Sequence, residues 1–217
     1  MRPADLQAQR KSDIGFLTGT SYYMGDINPA QHYYLPSFAI GPIFRYNFDQ
    51  RHSLRAHAVY HTLAGNDADF PNQIRPQGLQ DFQASFVDLA LQFEFNWWPY
   101  KTAHRKSKYS PYVFAGLGYA YKLSGSPAAQ AHVNIPFGLG VKANLGKKLS
   151  GGIELGTRKT FSDRVDGVVN PGETDQFAPF GNRDWYMITG VFITYKIFRF
   201  REDCPTYDDN NTKRKRR

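Results

Sequence analysis

The stretch SFAIGPIFRYNF, Ser37 to Phe48, sorts into two rows when read two residues at a time. Phe38, Ile40, Pro42, Phe44, Tyr46 and Phe48 fall in one row, and Ser37, Ala39, Gly41, Ile43, Arg45 and Asn47 in the other. Side chains alternate faces along a strand, so this segment predicts a strand with one apolar face and one polar or small face. It is also long, about a dozen residues, where strands of soluble proteins mostly run about 5–6. A tilted strand crossing a bilayer needs roughly 9–11. In hydrocarbon such a strand must close into a barrel with its neighbours, because its backbone polar groups find no water there. One segment therefore predicts both an architecture and its surroundings.

Seven further segments alternate in the same way: Asp13 to Met24, His52 to Leu63, Ala84 to Trp97, Tyr109 to Leu123, Ala131 to Leu145, Leu149 to Phe161 and Trp185 to Phe198. Two connections are hairpin-sized, Asp49 to Arg51 and Gly146 to Lys148. Those after the first, third and seventh segments are much longer: Gly25 to Leu35, Ala64 to Phe82 and Ser162 to Asp184. Outer-membrane barrels carry short periplasmic turns and longer outside loops in alternation. The pattern predicts an all-β fold, an eight-stranded antiparallel up-and-down transmembrane barrel over residues 13–198. An even strand count puts both termini on the periplasmic side. The connection Trp98 to Lys108 is long for a periplasmic turn and holds Lys101, His104, Arg105, Lys106 and Lys108.

Alternation alone does not separate this barrel from a soluble, lipocalin-like one, whose apolar face points inward. Two features favour the membrane. Aromatic residues gather at segment ends (Tyr22, Tyr23, Phe48, Tyr60, Trp97, Trp98, Tyr121, Trp185, Tyr195), where interfacial girdles lie. The opposite row mixes small residues with Arg45, Arg55, Asp88, Glu94, Lys142, Glu154, Arg158 and Lys196, charges of both signs able to pair inside a narrow lumen. Eight strands leave an interior just wide enough for side chains to fill, so a plug is expected and conduction is not.

Composition agrees. Aromatics make up 16% of 217 residues and there are 19 glycines, a mixture that suits strands rather than a helical bundle. No run of about 20 apolar residues offers a transmembrane helix. The formal net charge of +8 is local. Much of it sits in Lys101 to Lys108 and in the terminal Lys213, Arg214, Lys215, Arg216 and Arg217, with no basic stripe of the kind nucleic acid requires. These two groups are the candidate partner-binding residues, on a periplasmic turn and on a tail spanning residues 199–217. Residues 1–12 lack an apolar export core, but Leu6-Gln7-Ala8 resembles the small-residue end of a cleaved export signal. Cys204, the single cysteine, makes no internal disulfide.

Candidate chemistry is sparse, and neither a cofactor, a metal nor a small-molecule substrate is expected. His57 and His61 share a face about 13 Å apart along a strand, too far to ligate one ion. With His52 they read as lumen or rim residues hydrogen-bonded to carboxylates. A lipid-modifying barrel enzyme would draw on Ser21, Asp26 and His32, or on His61 and Asp67, near the outer loops, but no nucleophile motif supports it. The glycines of GLGYAYKLSG and FGLGVKANLG recur on alternate strand positions, which makes room for large lumenal neighbours rather than a phosphate loop. Asp26-Ile27-Asn28 and Asp67-Ala68-Asp69 read as turn formers rather than calcium ligands.

Three blocks carry a resemblance: DIGFLTGTSYYMGDINP (Asp13 to Pro29), LPSFAIGPIFRYNF (Leu35 to Phe48) and DWYMITGVFITYKIFRF (Asp184 to Phe200). Together they resemble PorG-like outer-membrane barrels of the type IX secretion machinery, over nearly the whole barrel. That resemblance implies a non-enzymatic accessory subunit embedded in outer-membrane lipid. It also implies association with the periplasmic ring formed by a lipoprotein and its partner, PorK and PorN. The alternative functions are a lipid-modifying barrel and an OmpX-like structural or adhesion barrel acting through the long loops.

Overall fold

A computed structural model describes residues 12–24, 32–65, 82–100, 109–126, 131–146, 148–161 and 185–197. Within them eight strands run in chain order: β1 (Ser12–Met24), β2 (Ser37–Asn47), β3 (His52–Gly65), β4 (Phe82–Asn96), β5 (Tyr109–Ser126), β6 (Ala131–Asn144), β7 (Leu149–Thr160) and β8 (Trp185–Lys196). Each pairs antiparallel with the next, and β8 returns to β1 to close the barrel. The strands span 11 to 18 residues, long enough to cross a bilayer at a tilt.

The rows face as a membrane barrel requires. Leu117 (67% exposed), Phe16 (64%) and Ile153 (59%) point outward, while Arg45, Arg55 and Arg158 are shielded inside at 1% or less. A soluble barrel turns its apolar row inward, so this orientation excludes the lipocalin-like arrangement.

The sequence and the structure differ mainly at strand ends. Trp97 lies just beyond β4, because the Asn96 and Trp97 N–H groups turn to the carbonyls of Arg51 (2.7 Å) and Pro111 (3.0 Å). β5 continues to Ser126 through Gly125, whose φ of 98° accompanies a register shift opposite Ser85 and Phe86. Glycine tolerates that left-handed backbone where other residues strain. The β2–β3 and β5–β6 registers each skip two residue pairs, at Pro42 and Pro136 respectively. Proline has no N–H to give the ladder. Residues 1–11 and 198–217, which hold the leader-like segment, Cys204 and the basic tail, lie outside the described residues.

The short β2–β3 turn is locked by Asp49. Its Oδ1 accepts the backbone N–H groups of Arg51 (2.6 Å) and His52 (2.8 Å), and its Oδ2 meets His52 Nδ1 at 2.8 Å. Slight burial would raise this carboxyl, but the His52 side chain and the two N–H groups outweigh it and hold the group at about 2. A depressed folded value makes the contribution to stability complete above the ordinary aspartate range near 4 and lost as pH falls through about 2. Asp49 is expected to titrate near 2 when followed by NMR in micelles. Asp49→Ala should abolish that acid-sensitive component; a carboxyl titrating near 4 would contradict the turn geometry.

Candidate functional site: a sealed lumen between two rims

Toward the short-turn end, inward-facing positions of three strands, β2, β3 and β6, converge on Glu94 of β4. Its Oε2 lies 2.9 Å from Arg45 Nε and 2.7 Å from Lys142 Nζ, and its Oε1 lies 3.3 Å from Arg55 Nε. Arg55 also pairs with Glu154 and bonds Gln92 Oε1, and Tyr112 donates to Glu154 Oε2 at 2.9 Å. Aromatic faces cover the cations: Arg45 over Phe192 (5.1 Å), Arg55 over Phe114 (4.9 Å) and Lys142 over Tyr112 (4.3 Å). One step toward the long loops, Arg158 Nε donates to Asp88 Oδ2 at 2.7 Å, and Tyr186 and Asn134 donate to the same carboxylate, each at 3.2 Å.

Among the described buried residues, four cations (Arg45, Arg55, Lys142, Arg158) face four carboxylates (Asp13, Asp88, Glu94, Glu154). The interior is therefore near neutrality without a bound ion. Arg55, Asp88, Gln92, Glu94, Tyr112 and Tyr186 are shielded completely from solvent. A water-wide passage would have to expose some of them, so the lumen is a plug.

Above this layer the lumen turns apolar and aromatic. Leu17, Ala39, Val59, Leu63, Ala84, Phe86, Ala120 and Ile188 are buried there. His61 stacks on Tyr186 (5.0 Å) and Phe86 (5.7 Å), and His132 meets the same two rings edge-on. The expectation of carboxylate-bound histidines holds for His52 with Asp49. It fails for His61, whose two ring nitrogens have no hydrogen-bond partner among the described residues. Ring packing from β4 and β8 sets its place instead. His132 escaped the sequence reading, although its even position on β6 puts it in the lumenal row.

Tyr22 also departs from expectation. It belongs to the outward row but is buried at 2%, because Tyr33 (4.8 Å between ring centroids) and His32 cover it and its hydroxyl meets Met187 Sδ at 2.7 Å. Ser21 donates to the Thr62 carbonyl at 2.7 Å. Among the described residues no histidine or carboxylate hydrogen-bonds to it. Asp26 and Asp67 lie outside the described residues.

All ten candidate partner-binding residues, Lys101, His104, Arg105, Lys106, Lys108 and Lys213 to Arg217, also lie outside them. What the structure describes is the footing of the first group. Tyr100 N–H bonds the Gln50 carbonyl at 2.8 Å, and its hydroxyl donates to Asn144 Oδ1 at 2.9 Å. Burial pushes that hydroxyl up to about 12, which keeps it protonated as a donor. On the other side Tyr109 opens β5 and packs edge-on against Trp98 at 5.2 Å. Segment 101–108 therefore leaves and rejoins the barrel at the short-turn rim. The barrel ends lie on that same rim, where Ile197 N–H bonds the Ser12 carbonyl at 3.1 Å.

Among solved structures the chain resembles Neisserial surface protein A, at 10% identity over 85% of this chain and 96% of that one, with a TM-score of 0.53. It also matches the N-terminal β-barrel domain of Pseudomonas aeruginosa OprF, at 11% identity over 87% of this chain and 100% of that one, with a TM-score of 0.48. A third match is the outer membrane protein OprG from the same bacterium, at 12% identity over 88% and 100%, with a TM-score of 0.46. The first of these likenesses, at 10% identity, is one of fold: a closed eight-stranded antiparallel barrel of the outer-membrane type. No curated protein matches the chain. Over residues 3–206 it matches the profile of a domain of unknown function, DUF6089, and it belongs to that family.

Proposed function

We propose that this barrel is an accessory outer-membrane subunit of a type IX-like protein secretion machine, holding a periplasmic ring through its short-turn rim. The sealed lumen carries this reading. With fully shielded residues across its interior, the barrel offers no passage and acts through the surfaces it presents. Segment 101–108 is rooted on one rim by Tyr100 and Tyr109, and it concentrates four Lys and Arg residues with His104. The basic tail follows β8, which ends on the same rim. Clustered cations steer an acidic partner surface, with a range of about 8 Å at physiological ionic strength. The resemblance of the three strand blocks to PorG-like barrels supplies the kind of partner, ring subunits similar to PorK and PorN. In this reading the protein catalyses nothing and its lumenal charges serve folding.

The test is affinity purification of the tagged protein from its own membranes in mild detergent, with mass spectrometry of what stays bound. Ring-forming secretion subunits are expected. They should fall at least about tenfold at low salt when Lys101, Arg105, Lys106 and Lys108 become Gln or when Lys213 to Arg217 are removed, with the difference from wild type shrinking as salt rises. A solitary barrel, or retention indifferent to both changes, overturns the proposal. The length of connections 66–81 and 162–184 favours a second reading, an OmpX-like adhesion barrel. In that case shortening those connections, rather than the basic segments, would abolish binding.

A further inference from the structure

We infer that the two hairpin turns of the short-turn rim, 48–51 and 145–148, seat anionic phospholipid of the periplasmic leaflet. The barrel divides its charge between its ends. The three connections that join strands at the short-turn rim, 48–51, 97–108 and 145–148, hold seven Lys or Arg residues and one carboxylate, Asp49. The four at the long-loop rim, 25–36, 66–81, 127–130 and 161–184, hold three Lys or Arg and nine Asp or Glu. The lumen between them is near neutrality, so the rims are what a charged surface meets. Both oxygens of Asp49 are taken up within its own turn, whereas Arg51 and Lys148 are exposed. Lys147 precedes Lys148 in the sequence of the second turn.

The local geometry sets these cations against the lipid-facing wall rather than over the lumen mouth. Lys148 Nζ lies 5.8 Å from the ring centroid of Tyr195, an outward-row residue, and exposed Leu145 and Leu149 flank it in the turn. On the opposite side of the closed barrel, Arg51 Nη1 donates to the Trp97 carbonyl at 3.1 Å, beside the exposed rings of Trp97 and Phe48. The mouth between the two sides is occupied by buried Tyr100, which bonds the Gln50 carbonyl and Asn144 Oδ1. Aromatic residues at strand ends lie at the level of the headgroups, and Lys and Arg beside them reach into the polar layer. Ammonium and guanidinium groups bond phosphate oxygens strongly there. A lipid with net negative charge gains further from each basic residue near the surface. This sideways position favours lipid over a protein docked on the end of the barrel. The inference rests on the short turns facing the periplasm and is independent of the ring-docking function.

The test uses the full-length protein carrying Trp185→Phe, which leaves Trp97 and Trp98, both at the short-turn rim, as its tryptophans. It is reconstituted in phosphatidylcholine vesicles with a minor share of phosphatidylglycerol. Bromine on the acyl chains of one lipid or the other quenches the tryptophans and reports which lipid lies beside that rim. Phosphatidylglycerol should be preferred about fivefold, the factor typical of one basic residue at an anionic membrane surface. The preference should shrink as salt rises and fall to near unity when Arg51, Lys147 and Lys148 become Gln. Each protein is checked for the heat-dependent gel mobility of a closed barrel. No preference in the parent, or one that survives the three substitutions, overturns the seats. So does an equal preference reported by Trp185 in a protein carrying Trp97→Phe and Trp98→Phe, which would tie the lipid to neither rim. Loss of the preference to millimolar inorganic phosphate at matched ionic strength also overturns them, by making the turns sites for free anions. The vesicles contain no ring subunit, so these outcomes leave ring capture to its own test.

Discussion

Glu94→Ala is expected to destabilise the barrel by about 3–5 kcal/mol, the cost of breaking a buried charge pair by removing one partner. The mechanism is specific to this residue. Its carboxylate meets Arg45 at 2.9 Å, Lys142 at 2.7 Å and Arg55 at 3.3 Å, and none of these four side chains is more than 2% exposed. Alanine would leave Lys142 without its carboxylate and Arg45 without its ion-pair partner, while Arg55 keeps Glu154 and Gln92. In a lumen closed to water neither orphan can be resolvated in place. Guanidinium unfolding in lipid vesicles, followed by tryptophan fluorescence, measures the loss. Glu94→Leu combined with Lys142→Met should recover part of it, because an apolar pair of similar volume removes the charges together. A single variant within about 1 kcal/mol of wild type would show that the hub does not carry the lower lumen.

Gly19→Val should prevent closure of the barrel altogether. Gly19 and Gly190 face each other across the β1–β8 pair, the seam that joins the ends of the chain. A Cβ on Gly19 would overlap the Thr189 carbonyl oxygen and lie 2.5 Å from the Gly190 Cα. On Gly190 it would lie 2.5 Å from the Thr18 carbonyl oxygen. These neighbours are backbone atoms of the ladder itself, so a rotamer change cannot relieve the clash. The seam must open, at a cost above the ~4 kcal/mol that few single substitutions reach. Because open strand edges are not tolerated in hydrocarbon, the result should be loss of the fast-migrating folded band on unheated gels. Gly146→Ala, in a turn with nothing within 4 Å of the added atom, should stay within about 0.5 kcal/mol of wild type. Equal behaviour of the two variants would contradict the seam geometry.

Much of the fold was legible because its rule is local. Period-two alternation over long segments, with hairpin-sized turns after the second and sixth, predicts eight strands in the order found. The ends were less legible. At Trp97 and Gly125 the boundary depends on hydrogen bonds to β2–β3 turn residues and to facing strands, which alternation does not encode. The candidate site divides in the same way. Membership of the lumen for Arg45, Arg55, Asp88, Glu94, Lys142, Glu154 and Arg158 follows from their row.

Sequence by itself determined the strand count, the closed barrel, the sorting of residues into two faces and the mixture of opposite charges on one of them. All of these follow from side-chain alternation and from the need of backbone groups for partners in hydrocarbon. Only the tertiary structure decided which charges meet. Arg55 and Glu154 are 99 residues apart in the chain, and their pairing depends on stagger and on which strands face across the lumen. The same closure stacked His61 between the rings of Phe86 and Tyr186.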